Sequence, residues 1–408
     1  MLSSRYSALL LLLPATVTLA SAGDLPPELM QLAHFKQKIR QDLAQVPNYT
    51  CLETMQRYQR GRRAYSFRPL DTVRLEVSNV NGKELLAWPG ARRFEDKNLT
   101  SFVSGGMIGN GMFVLHAHNL FVNDTSPFVY RGEDDLDGRE AIRYDYSTPE
   151  FLSGYRIRIG SAEARVAIKG SFWFDPVSLD LLRLDVYGDE IPLELDLESS
   201  IVRTYYSREH IGNSEALLPQ RAELVLNFFS GESSRNLVTF SACREYGSQS
   251  NISFEPPPEP VAPAKPPSAE VNLAAGLLIS IALETAIDSK SASVGDALRA
   301  RVRRDVRQKG EVVLPAGALI SGRIRSLDRY SGAKRFVLMG IEFSEAEWQN
   351  AHAEFVGELV DSREGMPPRR GDIPGVGILR MEGSGFHLAP GFRMLWRTVR
   401  QQPASDFR

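Results

Sequence analysis

His116 and His118 stand two residues apart, a spacing that on a strand turns both imidazoles to one side and offers two nitrogens to a metal ion. The chain holds six histidines in all, and no third ligand falls at a metal-binding spacing, so no metal ligand is expected. His34, His210, His352 and His387 are isolated and read as surface or core residues rather than catalytic bases. Glu133-Asp134-Asp135-Leu136-Asp137-Gly138 begins like a calcium loop, with side-chain oxygens ahead of a glycine bend. Its first position is glutamate rather than aspartate, and its twelfth is Tyr144 where a bidentate glutamate is required, so a solvated hairpin turn is expected.

Gly105-Gly106-Met107-Ile108-Gly109-Asn110-Gly111 has the glycines that let a backbone approach phosphate oxygens. Their order does not fit a dinucleotide fingerprint, and no parallel strand-helix unit surrounds them, which leaves a loop between strands. Gly-x-Ser-x-Gly, His-Glu-x-x-His, Cys-x-x-Cys and a phosphate loop ending in Gly-Lys-Ser/Thr are all absent. Carboxylates such as Asp134, Asp135 and Asp175 would serve a hydrolase of unfamiliar type as acid and base, but 50 acidic residues make any chosen pair easy to find. The expectation is therefore no catalytic residue, no cofactor and no metal ligand, in a non-catalytic binding or assembly protein. The hydrolase and a purely structural envelope spacer are the alternatives.

The two cysteines, Cys51 and Cys243, carry chemistry of another kind. Arg5, an apolar stretch over residues 8–20 interrupted by Pro14, Thr16 and Thr18, and the triplet Ala20-Ser21-Ala22 make a secretory signal peptide, cleaved after Ala22. It falls short of the roughly 20 residues of a spanning helix, and no cysteine follows the cleavage point to take a lipid. The chain is thus expected in the periplasm, at the cell surface or outside the cell, where two such cysteines pair more often than they stay free. Two buried free thiols are the alternative.

The rest of the chain must position these groups. It has 408 residues, 43% hydrophobic and 24% charged, enough for two or three domains with real cores. Its net charge of −2 gives no general attraction to nucleic acid. Leu29, Leu32, Phe35 or Lys36, Ile39 and Leu43 recur at helical spacing between Pro26-Pro27 and Pro47, predicting one amphipathic helix. After it the period changes to two. Residues 72–80 alternate, Asn81-Gly82 suits a tight hairpin turn, and 83–88 return. A second hairpin is expected at Asp137-Gly138, a third around Asp175-Pro176, and further strands over 202–207, 222–229 and 238–243. One helix and a long antiparallel half-barrel sheet are expected over 23–254, an α+β domain in a mainly β protein.

Residues 255–270 form a proline-rich linker, since proline fixes φ and removes the backbone donor. A small β-barrel or sandwich domain over 271–400 follows, with a loose tail over 401–408. Its first apolar run, 273–283, is too short to cross a bilayer and reads as a buried strand. In the next, Leu298, Ala300, Val302 and Val306 face one way while Arg299, Arg301 and Arg303 form a solvated face. Residues 312–314, 320–324, 336–343 and a returning strand between Phe386 and Trp396 complete the set, with turns at Pro315-Ala316-Gly317 and Ser331-Gly332.

Two resemblances rest on these residues. The segment over about 25–254, with Pro47-Asn48-Tyr49-Thr50-Cys51-Leu52-Glu53-Thr54, the run from Gly170 to Leu184 and Cys243-Arg244-Glu245-Tyr246, resembles secreted proteins of unknown function common in acidobacteria. In element order it is similar to the half-barrel carriers that ferry lipoproteins across the periplasm, which implies an apolar, lipid-like ligand. The segment over about 276–348 resembles the barrel domain of the TrbI-like conjugation and type IV secretion family. Ile287, Ser289, Val302, Asp305-Val306, the run from Leu314 to Ala318, Gly322, Gly332 and Arg335 carry that likeness. That family inserts an apolar helical hairpin into the outer membrane, whereas 344–375 here holds Glu345, Glu347, Arg363, Glu364, Arg369 and Arg370 and no such hairpin. The resemblance thus implies a barrel for protein contacts, with an envelope-protein partner and oligomerisation through the second domain.

Overall fold

The structure is a computed structural model that describes residues 26–80, 83–91, 94, 102, 113–123, 126–246, 269–331, 334–362, 369–370 and 374–400. The signal segment, the turn Asn81-Gly82, the glycines between 105 and 111, linker residues 255–268, Gly332 and the tail 401–408 lie outside the described residues.

Helix α1 (Pro27–Gln45) begins on a proline, whose missing N–H has no helical acceptor to lose. It stops just ahead of Pro47, and of its periodic apolar residues Phe35 and Ile39 are fully buried. Phe35 stacks on Phe174 at 4.3 Å and Phe172 at 5.3 Å, and meets Phe121 edge-on at 5.3 Å. Those contacts clamp α1 to the first sheet.

That sheet has ten antiparallel strands in the order β3-β2-β1-β12-β11-β10-β9-β8-β5-β4, curled into a half-barrel. They are β1 (Tyr49–Arg60), β2 (Arg68–Val80), β3 (Lys83–Ala87), β4 (Phe128–Leu136), β5 (Arg139–Thr148), β8 (Ala167–Phe174), β9 (Leu181–Asp189), β10 (Leu197–Ile211), β11 (Ser214–Phe228) and β12 (Ser233–Glu245), with a separate hairpin β6 (Arg156–Ile159) and β7 (Ala162–Arg165). Alternation does what it should: Cys51, Glu53, Met55 and Arg57 of β1 are buried with Asp71, Val73, Leu75 and Val77 of β2. Asp137 and Gly138 both take positive φ, 57° and 84°, as a two-residue hairpin turn requires. Asp175 closes the β8–β9 turn by accepting the N–H groups of Val177 and Ser178.

One expectation is corrected here. His116 and His118 lie not on a strand but on a second helix, α2 (Phe113–Phe121), and a short third helix, α3 (Glu150–Ser153), precedes β6. Ala117, Leu120 and Phe121 bury together at three-to-four spacing, so packing favours the helix. On it, residues two apart diverge by about 200°, and His118 is exposed while His116 turns inward.

The second sheet follows with β13 (Ala269–Glu270), β14 (Leu278–Leu283), β16 (Ala297–Val302), β19 (Leu319–Ser331), β20 (Arg335–Trp348), β21 (Ala351–Glu354), β22 (Gly357–Ser362), β23 (Arg369–Arg370), β24 (Val376–Glu382) and β26 (Arg393–Thr398), while β15 (Ile287–Asp288) pairs with β25 (His387–Leu388) and β17 (Val306–Gln308) with β18 (Glu311–Leu314) as two separate ribbons. The order is β13-β21-β20-β19-β16-β14-β26-β22, with β24 joined to β20. Gly377 of β24 lies so close to Leu359 of β22 and Trp396 of β26 that a Cβ there would collide with both. Side-chain packing thus brings β22, at one end of that order, against β24, beside Trp396, Phe343 and Phe355, whose rings meet edge-on 5.3–6.3 Å apart. Only the second half of the apolar run 273–283 is strand; Leu273 and Leu277 pack on the core from a loop.

The two sheets touch. The Val294 N–H donates to the Thr72 carbonyl and the Arg74 N–H to the Val294 carbonyl, both at 2.8 Å, along a stretch of β2 that β3 does not cover. Arg74 pairs with Asp296 at 2.7 Å, and the guanidinium groups of Arg323 and Arg325 lie over Trp88, 5.4 and 5.2 Å from its centroid. One cluster of buried apolar residues runs through both sheets. Among the described residues, no helix is long and apolar enough to cross a membrane.

Candidate binding site

Helix α2 lies over the first sheet and, with α3, leaves a pocket against its inner face. His116, Asn119 and Leu120 come from α2, Tyr146 and Thr148 from β5, Ser153 and Tyr155 from α3 and the residue that leads into β6, Ile168 from β8 and Val186 from β9. The pocket encloses about 370 Å³ of atom-free space, counting the solvent at its open mouth. Phe151 and Leu152, just before the lining Ser153, expose apolar side chains, 73% and 44% open to solvent.

The polar groups around this space are unequal. Tyr146 donates to the Asp185 carbonyl at 2.9 Å, Tyr155 shares a hydrogen bond with Ser200 at 3.3 Å, Ser153 donates to the Val166 carbonyl at 2.5 Å, and Thr148 bonds Ser126. His116 differs. Both its ring nitrogens are sealed from solvent without a hydrogen-bond partner, although the residue as a whole is partly exposed. Burial lowers its pKa to about 4, so the imidazole is neutral at physiological pH. The same burial raises the phenols of Tyr146 and Tyr155, which stay protonated.

A second unusual group lies near the β1–β3 edge. Glu53 is 2% exposed with Oε1 unpartnered, and burial raises its pKa to about 7. Burial and the charge of Glu53 push Glu84 up as well. No group of three or more histidine, cysteine or acidic residues able to hold a metal occurs among the described residues.

Cys51 and Cys243 form a disulfide between the neighbouring strands β1 and β12 across a sequence separation of 192. Asp134, Asp135 and Asp175 take structural roles. Asp134 accepts the Trp173 indole N–H at 2.8 Å, Asp135 accepts the Gly138 N–H in the hairpin turn at 2.8 Å, and Asp175 is held low, to about 2, by turn N–H groups and Arg139. The pocket itself escaped the sequence reading. The available signal was His116 beside a helical apolar stripe, Ala117, Leu120 and Phe121.

No protein-family model matches the chain, and no curated protein matches it. Among solved structures, a putative outer membrane lipoprotein-sorting protein domain from Vibrio parahaemolyticus is similar over 54% of this chain and 93% of its own, with 11% identity and a TM-score of 0.27. A DUF1329 family protein from Desulfovibrio piger matches 54% of this chain and 95% of its own, with 15% identity and a TM-score of 0.29. A LolA superfamily protein from Nitrosomonas europaea matches 52% and 94%, with 12% identity and a TM-score of 0.29.

Proposed function

We propose that this chain is an exported, non-catalytic protein of the cell envelope that binds an apolar, lipid-like molecule between α2 and the first sheet and meets a protein partner through its second sheet. The pocket beneath α2 carries the reading: Leu120, Ile168 and Val186 line it, and the surrounding tyrosine, serine and threonine hydroxyls are engaged within the protein. Such a site favours apolar surface and has few convergent polar groups to steer chemistry. Export is supported by the signal-like segment and by a disulfide suited to an oxidising compartment. The resemblance to acidobacterial secreted proteins and to the TrbI-like barrel suggests an envelope role in assembly or transport, with 23–254 and 271–400 as its two domains.

Titration of the purified, oxidised chain with the fluorescent apolar reporter N-phenyl-1-naphthylamine tests the pocket. Saturable enhancement at one site, lost in Ile168→Trp, is expected. No saturable binding, or binding that Ile168→Trp leaves intact, would overturn the reading.

A further inference from the structure

The loop that joins β1 to β2 carries a one-sided charge. Between Glu53 and Asp71 the chain holds Arg57, Arg60, Arg62, Arg63 and Arg68 and no acid. Asp71 is taken by Arg57 in a buried pair, so Arg62, Arg63 and Arg68 stand exposed without a carboxylate of their own loop. Tyr65 at the tip is fully exposed. The loop is braced: Arg60 donates to Ser233 at 2.8 Å and lies over the Phe67 ring at 5.2 Å. Arg62 lies against Gly231 in the facing β11–β12 turn, which also holds an acid, Glu232.

The β19–β20 hairpin of the second sheet ends in the same way. Between Asp328 and Glu342 the chain holds Arg329, Lys334 and Arg335 and no acid. Lys334 and Arg335 are exposed at the turn. The exposed Tyr330 stacks on Phe336 at 4.4 Å, and Arg380 of β24 covers that ring at 4.2 Å. Glu382, opposite Phe336, is paired with Arg380.

Docking of the two sheets points both tips the same way. Trp88 follows Ala87, the residue opposite Glu76, and lies under Arg323 and Arg325. Asp328 is within electrostatic reach of Asp71 and Arg57. Residues 323 to 328 of β19 therefore run beside β2 from 76 back to 71. Three residues further along each, β19 ends at Ser331 and β2 begins at Arg68.

We infer that the two tips form one docking face for an anionic phospholipid surface, with the exposed arginines and Lys334 on the lipid phosphates and Tyr65 and Tyr330 at headgroup depth. Clustered cations beside a membrane gather anionic lipid, and a tyrosine ring suits the boundary because one end is apolar and the other wet. The same cations would hold any polyanion, but export brings lipid headgroups rather than nucleic acid within reach. The inference uses only the export part of the proposal above and is independent of the pocket beneath α2.

The test is co-sedimentation of the full oxidised chain with vesicles of phosphatidylcholine, alone or mixed with phosphatidylglycerol. Binding to the mixed vesicles, none to phosphatidylcholine alone, and release by high salt are expected. Each cation at the surface is worth about fivefold in affinity, so Arg62→Ser with Arg63→Ser should weaken binding about 25-fold, and Lys334→Ser with Arg335→Ser by a similar factor. Tyr65→Ser should weaken it at unchanged net charge. Arg303→Ser with Arg304→Ser removes as much charge from exposed positions just beyond β16, where Arg301 faces Leu319 at the other end of β19, and should leave binding unchanged. Ile168→Trp should leave it unchanged too, which separates this face from the pocket. No binding to the mixed vesicles overturns the inference, and so does an equal loss in the Arg303 and Arg304 variant. Equally tight binding to a DNA duplex, together with indifference to Tyr65→Ser, would mark a general polyanion site and overturn the lipid assignment.

Discussion

Replacing both Cys51 and Cys243 with alanine opens the longest covalent loop in the protein. The bridge spans 192 residues of sequence between strands that are hydrogen-bonded neighbours, with Thr50 opposite Arg244 and Leu52 opposite Ser241. In the folded state the sheet already holds those strands together, so the bridge acts chiefly by restricting the unfolded chain. Loop-closure entropy for such a separation gives a ceiling of about 5 kcal/mol. With a urea slope of about 3 kcal/mol per M, the unfolding midpoint should fall by at most ~1.7 M. The sulfurs also pack beside Tyr49, Ile211, Ala216 and Leu218, so alanine loses some contact as well. Urea unfolding followed by far-ultraviolet circular dichroism compares the oxidised wild type with the double variant, which should keep its folded spectrum before the transition. An unchanged midpoint would refute the reasoning, and so would loss of the folded spectrum in the absence of urea.

Three further outcomes are expected. Phe35→Ala removes the ring that joins α1 to Phe121, Phe172 and Phe174, and should cost about 3–5 kcal/mol in denaturant unfolding; a cost below ~1 kcal/mol would mean that α1 is not anchored there. Glu53 holds its proton more tightly folded than unfolded, so its contribution is fully present below about pH 4.5 and is lost as pH rises through about 7. Glu53→Gln should therefore raise stability at pH 8 by an amount on the order of 3 kcal/mol and leave it little changed at pH 4, whereas equal effects at both pH values would contradict the assignment. Gly377→Ala drives a Cβ into Leu359 and Trp396 and should lower the second sheet's stability by about 1–3 kcal/mol in thermal unfolding; an unchanged Tm would show that β22 and β24 are not in close contact.

Local structure was legible where a short period repeats. Alternation marked Thr72 to Val80 and the Leu298, Ala300, Val302 face, and the three-to-four spacing of Leu32, Phe35 and Ile39 marked α1. Helix α2 was hidden because nine residues hold barely two apolar repeats, and the His116/His118 spacing fits a strand as readily as a helix. The run 273–283 misled for another reason: Leu273 and Leu277 half-bury their side chains against the core from a loop, and apolar composition does not distinguish that from a strand. The β1–β12 pairing joins residues far apart in sequence, and only the two cysteines hinted at it. The docking of Val294 on Thr72 and Arg74 left no sequence mark, since its bonds are made by backbone. The site followed the same rule: His116 was visible as a residue, while its two unpartnered nitrogens depend on what β5, β8 and β9 place around it.

The most direct test of the central claim is native mass spectrometry of the chain, purified gently from its native source without organic solvent. A single apolar molecule retained on the wild type and missing from Ile168→Trp is the expected result. A bare wild-type chain, or a ligand that Ile168→Trp retains equally, would contradict binding beneath α2.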